Sequence, residues 1–309
     1  MRLLIINNLA AGLGDGLVFD FVRKLSQDGD ELVIRNTDGH TKIAEMLSDA
    51  ANFDAVVASG GDGTSSSVCY ELRNTGVPIF AFPAGTGNLL PLNLDMPIAV
   101  PALVELLHDP LVLDFDLGEL TYNLNGESLT RGFAVIAGAG YDADIMRASS
   151  AFKAAFGHGS YVAAAVSQPM PRFSRFTLGL PEGEITVEGI AVLLLNFARI
   201  NSDISITHAN DARDGLFEVA VLKSHNAVQL LPALFMALLD REGNNPSRLG
   251  AIETHFASSV RVDANPPLHI QYDGETPDST TPFSARILPA ATRLIVSPVA
   301  YKRFANTPL

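Results

Sequence analysis

The first third of the chain alternates short apolar runs with amphipathic stretches. Four short runs, rich in aliphatic and β-branched side chains, have the pattern of buried strands: RLLIIN, DELVIR, DAVVAS and VPIFAF. Four segments between and after them carry apolar residues at helical spacing: GLVFDFVRKLSQ, TKIAEMLSDA, SSSVCYELRN and IAVPALVELLHD. Alternation of strands and helices with short glycine-rich connections predicts a doubly wound α/β domain with a parallel sheet.

From about residue 112 the pattern changes to short, often alternating runs separated by turn residues. These runs are VLDFDLGELTYNLNG, GFAVIAGAGYD, ITVEGIAVLLLNF, GLFEVAVLK, SVRVDA, LHIQYDGE and ARILPA. Such a series is typical of a mainly antiparallel β-sandwich, interrupted here by predicted helices around 143–168 and 226–240. The sequence therefore predicts two domains, an α/β domain over 1–115 and a β-sandwich domain over 116–290.

Composition and charge exclude several classes of protein. With 47% apolar and 18% charged residues among 309, the chain can bury large cores and is not disordered. A net charge of −13 disfavours nucleic acid as a partner, because nucleic-acid binding relies on a basic surface. The single cysteine, Cys69, fits a reducing compartment, and neither a signal peptide nor a bilayer-spanning run is present. We expect a cytoplasmic protein, with peripheral membrane contact left open.

Three of the predicted parallel strands end in loops that contain glycine. The first strand leads into Asn8–Gly14, the third into Ser59–Thr64 and the fourth into Pro83–Asn88. The carboxyl ends of parallel strands meet at one edge of the sheet, where ligands of such folds bind. Glycine lets the backbone approach a ligand, and a helix that starts in such a loop favours an anion. Any one loop also fits a tight turn without a ligand, but the set predicts a nucleotide site.

Neither of the two common nucleotide-binding motifs fits these loops. A dinucleotide fold would have G-x-G-x-x-G after the first strand and an acidic residue about 20 positions later. Here the glycines of Gly12–Gly16 have the wrong spacing, and the second strand ends in Ile34-Arg35-Asn36. The P-loop motif, G-x-x-x-x-G-K-[ST], does not occur in the sequence.

At these loops the sequence resembles the diacylglycerol kinase catalytic-domain family, which includes sphingosine kinases, ceramide kinases and bacterial soluble lipid kinases. Gly60–Thr64 has the family's G-G-D-G-T run, and Pro83–Asn88 has its P-x-G-T-G-N run. Asn8–Gly12 is similar to the opening N-P-x-[SA]-G, with Leu9 in place of proline. Thr37–His40 is similar to the T-x-x-G-[HD] turn that follows.

Three later runs continue the resemblance in the family's order. Gly138–Ala143 resembles G-x-G-F-D-A, Asp214–Val219 resembles D-G-x-L-D-V, and Asp273–Glu275 matches D-G-E. Because the matches extend from residue 8 to residue 275, the resemblance covers almost the whole chain. It implies a two-domain fold of the NAD kinase and diacylglycerol kinase type, in which the final segment 291–309 returns to the α/β domain.

The resemblance implies transfer of the γ-phosphate of ATP to a lipid hydroxyl in the presence of Mg²⁺. The implied nucleotide-binding residues are Asn8, Gly12, Thr37, Gly60, Gly61, Gly63, Thr64, Gly85, Thr86, Gly87 and Asn88. Among them, the N–H groups of the glycines at 61, 63 and 85 are expected to cradle the phosphates. Glu275 is predicted to be the general base, with Asp62 as a second catalytic carboxylate. Asp214 and Asp273 are predicted to bind the metal, although the division of roles among the three aspartates stays open.

Departures from the family pattern keep other functions open. Leu89 stands where many members have aspartate, and Ser65–Ser67 replaces a frequent L-N-E. These features are compatible with a nucleotide-binding regulator without kinase activity, and G-G-D-G-T also occurs in NAD kinases. The implied acceptor is diacylglycerol or a related lipid at a membrane surface, and a homodimer stays open. Pro171–Phe176 alternates arginine and phenylalanine, which fits either a membrane contact or a strand with solvated arginines.

Overall fold

The computed structural model describes most of the chain as two compact units. The described residues are 1–11, 16–38, 40–140, 143, 173–197, 199–201, 204–205, 211–223 and 252–305. The first unit comprises Met1–Leu117, Asp211–Gly215 and Leu288–Leu309, and the second comprises Gly118–Asn210 and Leu216–Ile287. Apart from residue 143, the predicted helices around 143–168 and 226–240 lie outside the described residues, as does Gly12.

The first unit contains parallel strands and helices in the order that the sequence predicts. Its first four strands are β1 (Arg2–Asn7), β2 (Glu31–Asn36), β3 (Ala55–Gly60) and β4 (Ile79–Pro83). The helices are α1 (Leu17–Gln27), α2 (Ile43–Met46), α3 (Asp62–Glu71), α4 (Leu89–Asn93) and α5 (Val100–His108), with a 3-10 turn at Ala50–Asn52. The strands pair in parallel in the order β2–β1–β3–β4. The predicted α/β fold with a parallel sheet is confirmed.

Aromatic side chains fill the core on the face of this sheet that α1 and α5 cover. The ring of Phe21 in α1 stacks on Phe80 with centroids 5.9 Å apart and lies 4.9 Å from Phe82. Leu103 and Leu107 of α5 belong to the same cluster and are fully buried. β3 is buried along its whole length, as expected of a strand covered by helices on both faces.

Two short helices differ from the sequence-based prediction. The segment TKIAEMLSDA was predicted as one helix, but α2 ends at Met46. Arg35 donates a hydrogen bond to the Met46 carbonyl oxygen and a bidentate pair to Asp49, with distances of 2.6 and 2.7 Å to the carboxylate. The Arg35 side chain therefore binds the Met46 carbonyl oxygen at the point where the helix ends. Helix α4 was not predicted, because its five residues are too few to show a helical period.

The last residues of the chain belong to the first unit. Leu294, in strand β17 (Phe283–Val296), pairs in parallel with Ile79 of β4. Helix α6 (Pro298–Phe304) follows, and the Ser297 hydroxyl accepts a hydrogen bond of 3.1 Å from its first turn. Among the described residues, no helix has the length and apolar composition needed to cross a membrane.

The second unit is made of β-strands. Their bounds are β5 (Leu111–Leu124, which starts in the first unit), β6 (Glu127–Phe133), β7 (Ile136–Gly140), β8 (Ser174–Leu180), β9 (Gly183–Gly189), β10 (Ala191–Leu195), β11 (Arg199–Asn201), β12 (Ile204–Ser205), β13 (Phe217–Leu222), β14 (Ile252–Ala257), β15 (Ser259–Asn265) and β16 (Ile270–Tyr272). One antiparallel sheet has the order β14–β13–β10–β7–β16. The strands of the other follow the order β6–β5–β17–β15–β8–β9. β11 and β12 pair only with each other within the described residues.

Side chains from both sheets of the second unit form one core. Phe133 of β6 stacks on Phe217 of β13 with ring centroids 5.4 Å apart. Along β15 the buried residues alternate with exposed ones, and the buried Val260 and Val262 join the core. This period of two is what a sheet packed on one face requires. The predicted β-sandwich is therefore confirmed.

Two features of the sandwich were not read correctly from the sequence. The run ITVEGIAVLLLNF forms two strands, since β9 ends at Gly189 and β10 starts at Ala191. Gly189 packs closely, and a Cβ atom there would lie 2.5 Å from the Leu222 carbonyl oxygen. Strand β14 was missed because charged residues interrupt its apolar pattern. Glu253 in that strand pairs with Lys223 and accepts a 2.9 Å hydrogen bond from His255.

Candidate functional site

The glycine loops follow directly from the carboxyl ends of the parallel strands β1, β3 and β4. The Asn8 side chain links two of them, because its Nδ2 donates a hydrogen bond of 3.0 Å to Thr64 Oγ1. Asn8 Oδ1 accepts a 3.0 Å bond from the Ala10 N–H, which holds the start of the first loop. The structure thus brings Asn8 and Thr64 together, as a shared nucleotide site requires.

The G-G-D-G-T loop leads directly into the start of α3. Gly61 precedes the helix in an extended conformation, with φ −78° and ψ 179°. Its carbonyl oxygen accepts hydrogen bonds from the N–H groups of Thr64 and Ser65, at 3.0 and 3.1 Å. The Gly63 N–H lies in the first helical turn and has no carbonyl acceptor within the helix, whereas the Asp62 N–H interacts with its own carboxylate. A Cβ atom on Gly61 would meet no atom within 4 Å, and the start of a helix favours an anion nearby.

The second glycine loop packs directly against the first. A Cβ atom on Gly85 would lie 2.6 Å from the Gly61 Cα atom and 3.1 Å from the Gly60 carbonyl oxygen. The Gly85 N–H donates a 2.7 Å hydrogen bond to Asn88 Oδ1, and Asn88 has a positive φ of 52°. This bond corrects the expectation that the Gly85 N–H faces a phosphate, since the neighbouring side chain already occupies it. Thr86 lies in the same loop and is half-buried.

Asp62 connects the two loops through its carboxylate. Its Oδ1 accepts a 3.0 Å hydrogen bond from the Leu90 N–H at the start of α4. Its Oδ2 lies close to the second loop, because a Cβ atom on Gly87 would be 2.9 Å from it. Burial raises the pKa of the Asp62 carboxyl, although N–H groups of α4 counteract part of this effect. Asp62 therefore holds the loops in place, and its catalytic role stays a prediction.

A third turn at the sheet edge is organised by a residue that the sequence analysis missed. Thr37 follows β2, and its N–H donates a 2.9 Å bond to the Asn7 carbonyl oxygen. The next residue, Asp38, accepts hydrogen bonds from the N–H groups of Thr41 and His40, at 2.7 and 2.8 Å, and from the Thr41 hydroxyl at 2.9 Å. These bonds lower the pKa of Asp38 to about 2. The sequence signal for the role of Asp38 was an aspartate followed closely by polar turn residues.

Asp214 lies in the short segment Asp211–Gly215, which belongs to the first unit. Its side chain is exposed. The buried Asp116 anchors the segment, because its Oδ2 accepts a 2.6 Å bond from the Gly215 N–H and its Oδ1 a 2.8 Å bond from the Ala290 N–H. Burial raises the pKa of Asp116. The sequence signal for the anchoring role of Asp116 was a carboxylate within the apolar run VLDFDLG.

Arg213 anchors the same segment from its other side. Its Nε donates a 2.8 Å hydrogen bond to the Asp114 carbonyl oxygen, and its Nη1 donates a 2.6 Å bond to the Phe304 carbonyl oxygen. The side chain is almost fully buried, with 7% of its surface exposed. Asp214 is therefore presented on a segment with two independent attachments to the first unit.

In the second unit, the D-G-E run forms a tight hairpin turn. Tyr272 and Glu275 exchange backbone hydrogen bonds of 3.0 and 2.8 Å. The two residues between them have positive φ angles, 40° at Asp273 and 89° at Gly274, as a two-residue type I′ turn requires. The Glu275 side chain is exposed, so its carboxylate is accessible on a rigid turn.

The contacts of Asp273 do not support its prediction as a metal ligand. Its carboxylate accepts hydrogen bonds from three successive backbone N–H groups, those of Ala134 at 2.5 Å, Val135 at 3.1 Å and Ile136 at 2.8 Å. The residue is buried, and its own N–H donates a 2.8 Å bond to the Ile136 carbonyl oxygen. Both oxygens are used to fix the turn that carries Glu275, so Asp273 has a positioning role.

Few carboxylates remain for a metal ion. Among the described residues, no three side chains of histidine, cysteine, aspartate or glutamate converge as a metal site. Mg²⁺ in phosphate chemistry needs only one or two carboxylates beside phosphate and water oxygens, so a metal role for an aspartate of the first unit stays a prediction. The serines in place of L-N-E add no carboxylate, since Ser65 and Ser66 are buried and Ser67 donates to the Gly63 carbonyl oxygen at 2.8 Å.

The first unit has a parallel sheet with glycine loops, and the second is a β-sandwich that carries the D-G-E turn. Residues 2–120 match the model of the diacylglycerol kinase catalytic domain. Residues 135–296 match the model of the YegS C-terminal NAD kinase beta sandwich-like domain. The chain belongs to the diacylglycerol kinase catalytic-domain family, a family of lipid kinases.

The chain is also similar to individual proteins over most of its length. A diacylglycerol kinase of Mycobacterium tuberculosis (strain H37Rv) is 26% identical over 260 residues, which cover 80% of this chain and 78% of the relative. The protein sll0036 of Synechocystis sp. is 27% identical over 262 residues, and the chain spans only 57% of its length. The crystal structure of a diacylglycerol kinase from Bacillus anthracis str. Sterne covers 96% of this chain with a TM-score of 0.75 and 21% identity. That structural similarity shows the shared fold.

Proposed function

We propose that the protein is an ATP- and Mg²⁺-dependent lipid kinase that phosphorylates a hydroxyl group of diacylglycerol or a related lipid. In this reaction the lipid oxygen forms a bond to the γ-phosphorus, and the bond from that phosphorus to the β-phosphate oxygen breaks. ADP leaves, and the hydroxyl proton passes to a base. Such a transfer depends on positioning and charge neutralisation more than on covalent help from the protein.

The observation that carries this proposal is the open space beside Gly61. It lies at the residue that precedes α3, where a Cβ atom would meet no atom within 4 Å. By contrast, Gly60, Gly85 and Gly87 are each required by close packing within the loops. Packing therefore does not account for the glycine at position 61, whereas close approach of a phosphate does. The hydroxyls of Thr64 and Thr86 are suited to add hydrogen bonds.

Glu275 is proposed as the base that accepts the proton of the lipid hydroxyl. An exposed carboxylate can take that proton, and the turn gives it a fixed backbone through Asp273. The buried anchoring of Asp273 supports this division of roles, with one carboxylate for structure and its neighbour for chemistry. Replacing Glu275 with glutamine should abolish turnover and leave the ATP affinity nearly unchanged.

Asp62 and Asp214 are proposed to hold Mg²⁺ when ATP is bound. The ion would neutralise charge on the phosphates during transfer. Burial raises the pKa of Asp62, and a bound cation would counteract this by favouring the charged carboxylate. Asp214 is exposed, and the next residue, Gly215, is held by the Asp116 carboxylate.

The lipid is proposed to be reached at a membrane surface. The relative from Mycobacterium tuberculosis that bears the name diacylglycerol kinase supports diacylglycerol as the first substrate to test. The basic and aromatic segment Pro171–Phe176 does not add support, since its described part places Arg175 in β8 with an ion pair to Glu188 of 3.1 Å. A homodimer remains a prediction.

One assay tests the proposal against the alternatives. The protein is incubated with γ-labelled ATP, Mg²⁺ and mixed micelles that contain diacylglycerol, monoacylglycerol, a sphingoid base, ceramide or phosphatidylglycerol, with NAD as a further acceptor. Label in a lipid, lost in Glu275→Gln, supports the proposal. Label in NAD alone would show an NAD kinase, and nucleotide binding without any labelled product would show a regulator.

A further inference from the structure

The outward face of one sheet in the second unit carries a groove of about 340 Å³. Strands β5, β17, β15 and β8 lie side by side in this sheet. Alternate residues of these strands, such as Val260 and Val262 of β15, belong to the core, so the residues between them face outward. The outward residues that line the groove are mostly polar: Glu119, Thr121, Ser259, Arg261, Ser284 and Arg286. The groove includes neither the glycine loops nor the D-G-E turn.

Two arginines are neighbours along this groove. Strand register places Arg261 of β15 opposite Ser284 of β17, and Ser259 of β15 opposite Arg286 of β17. The two arginines are therefore diagonal neighbours, with Cα atoms about 7–8 Å apart. Their long side chains can reach one ligand from that spacing. Each guanidinium group presents a planar fork of N–H donors that matches the oxygens of a phosphate or carboxylate.

Acidic side chains in the groove neutralise only one of the two cations. Arg286 Nε donates a 2.6 Å hydrogen bond to Glu119 Oε1, and the Glu119 side chain is 12% exposed. Within the part of the chain that the structure describes, no ion pair joins Arg261 to an acidic side chain. Asp263, the next outward residue on β15, accepts a 2.8 Å bond from the Ala264 N–H and does not line the groove. Two arginines and one glutamate thus leave the groove a net charge of +1, on a chain with a net charge of −13.

Small residues beside the arginines create the space. Gly179 of β8 is in register with Arg261, and a Cβ atom there would lie 3.5 Å from the Arg261 Cβ atom, an ordinary contact distance. Close packing therefore does not require glycine at this position. Ser259 and Ser284 line the groove with hydroxyl groups, which can donate hydrogen bonds to anionic oxygens. A volume of about 340 Å³ is at the small end of the range for ligand pockets, so it fits a small ligand.

We propose that this groove binds a small phosphate-bearing anion, whose source is either a soluble phosphate or the head group of a lipid. Arg261 and Arg286 contact the phosphate oxygens, and Ser259 and Ser284 add hydroxyl donors. Phosphate is favoured over a carboxylate, because its larger number of oxygens can accept from two guanidinium groups at once. All of these residues belong to the second unit, and the inference does not depend on the proposed kinase function.

The test measures binding of inorganic phosphate to the full chain by isothermal titration calorimetry. A saturating nonhydrolysable ATP analogue is present, so that phosphate does not report on the glycine loops. Arg261→Gln and Arg286→Gln each remove one guanidinium group, whereas Gly179→Val keeps both and fills the groove with a side chain that suits a strand. Arg175→Gln is the matched control, because Arg175 is exposed on the same face of β8 and pairs with Glu188 at 3.1 Å. Melting curves of each variant establish that it is folded.

We expect the wild type to bind phosphate in the millimolar range, and more weakly as the salt concentration increases. Each arginine variant should weaken binding about 5-fold to 30-fold, because hydrogen bonds to a charged group are lost. Gly179→Val should weaken it to a similar extent by occupying the space, and Arg175→Gln should leave it unchanged. Phenylglyoxal, which modifies exposed arginines, gives a second measurement by peptide mass spectrometry. Phosphate should protect Arg261 and Arg286 from this reagent but not Arg175.

Two further ligands identify the source of the phosphate. Glycerol 3-phosphate represents a soluble ester, and phosphatidylcholine vesicles with or without phosphatidic acid represent a lipid head group. Binding of the soluble ester without sedimentation on either kind of vesicle supports a soluble ligand. Sedimentation on the vesicles that contain phosphatidic acid, lost in Arg261→Gln and kept in Arg175→Gln, supports a lipid head group.

The outcomes that overturn this inference differ from those that overturn the proposed function. Phosphate binding that is unchanged in folded Arg261→Gln and Arg286→Gln, equal protection of all three arginines, or no binding of any of these anions by the wild type would overturn the groove as an anion site. Labelled lipid in the kinase assay together with any of these results would leave the proposed function standing. Anion binding in the groove without phosphorylation of any lipid would overturn the proposed function alone.

Discussion

The two glycines Gly61 and Gly85 provide a direct test of the phosphate site, because they lie side by side and should respond differently to one added methyl group. Gly61 has φ −78° and ψ 179°, which alanine adopts without strain, and its Cβ atom would meet nothing within 4 Å. Gly85 would place its Cβ atom 2.6 Å from the Gly61 Cα atom. The same substitution therefore probes ligand space at one position and loop packing at the other.

The expected effects follow from these distances. In Gly61→Ala, the reduced entropy of the unfolded chain stabilises the fold by about 0.4–1 kcal/mol, and the poorer helix cap offsets this gain. The melting temperature should then stay nearly unchanged. The methyl group would keep a phosphate from at least one backbone donor, and a hydrogen bond to a charged group contributes about 1.5–3 kcal/mol. We therefore expect ATP affinity to fall about 10-fold to 150-fold.

Gly85→Ala should instead weaken the fold itself. The backbone atom at 2.6 Å cannot move away as a flexible side chain would, and overpacking of this kind costs about 1–3 kcal/mol. For a protein of this size the melting temperature should fall by several degrees, about 2–4 °C for each kcal/mol. Circular dichroism melts and calorimetric titration of MgATP measure both quantities on the same samples. Unchanged ATP affinity in folded Gly61→Ala would refute the assignment of the phosphate site.

Three further predictions concern the anchoring contacts. Asp273→Asn puts an amide against three backbone donors, so kcat should fall at least about tenfold while the ATP affinity stays unchanged. A change confined to the ATP affinity would contradict the positioning role of Asp273. Arg213→Met keeps the stem but removes both bonds to backbone carbonyls, and should lower the free energy of unfolding by about 1–3 kcal/mol in denaturant titrations, with exposed Arg23→Met as a neutral control. Because hydrogen bonds lower the pKa of Asp38 to about 2 from an ordinary 3.8, its contribution to stability is present above that ordinary value and lost as the pH falls. The difference in melting temperature between Asp38→Asn and the wild type should therefore shrink between about pH 4 and pH 2, and a constant difference would argue against the predicted linkage.

Local patterns in the sequence determined most of the architecture. Strands such as β1 and β3 are buried on both faces, so their continuous apolar runs were visible without any knowledge of their partners. The alternating pattern of β15 and the D-G pair in the turn before Glu275 are likewise local, since a type I′ turn needs residues that accept positive φ. The glycine loops could be placed at one edge because parallel strands share a direction.

Only the tertiary structure decided what each polar group in those loops does. Asp62, Asp273 and Asp214 look alike in sequence as acidic residues beside glycine. In the fold, Asp62 accepts from Leu90, Asp273 accepts from three successive N–H groups, and Asp214 is exposed. Their partners are 28 residues away for Asp62 and 137 to 139 residues away for Asp273, so no local pattern could reveal them.

The same reason explains the contacts that sequence reasoning missed. Asp116 binds backbone groups 99 and 174 residues further along the chain, and Arg261 and Arg286 are neighbours only because β15 and β17 pair in register. Local propensity and periodicity reflect the secondary structure that a residue and its sequence neighbours favour. Hydrogen-bond partners of buried polar groups depend on which distant backbone segments packing brings within about 3 Å. For this protein the sequence alone therefore determined most strands, the D-G-E turn and the family, and the tertiary structure decided which carboxylates hold backbone groups and which are exposed.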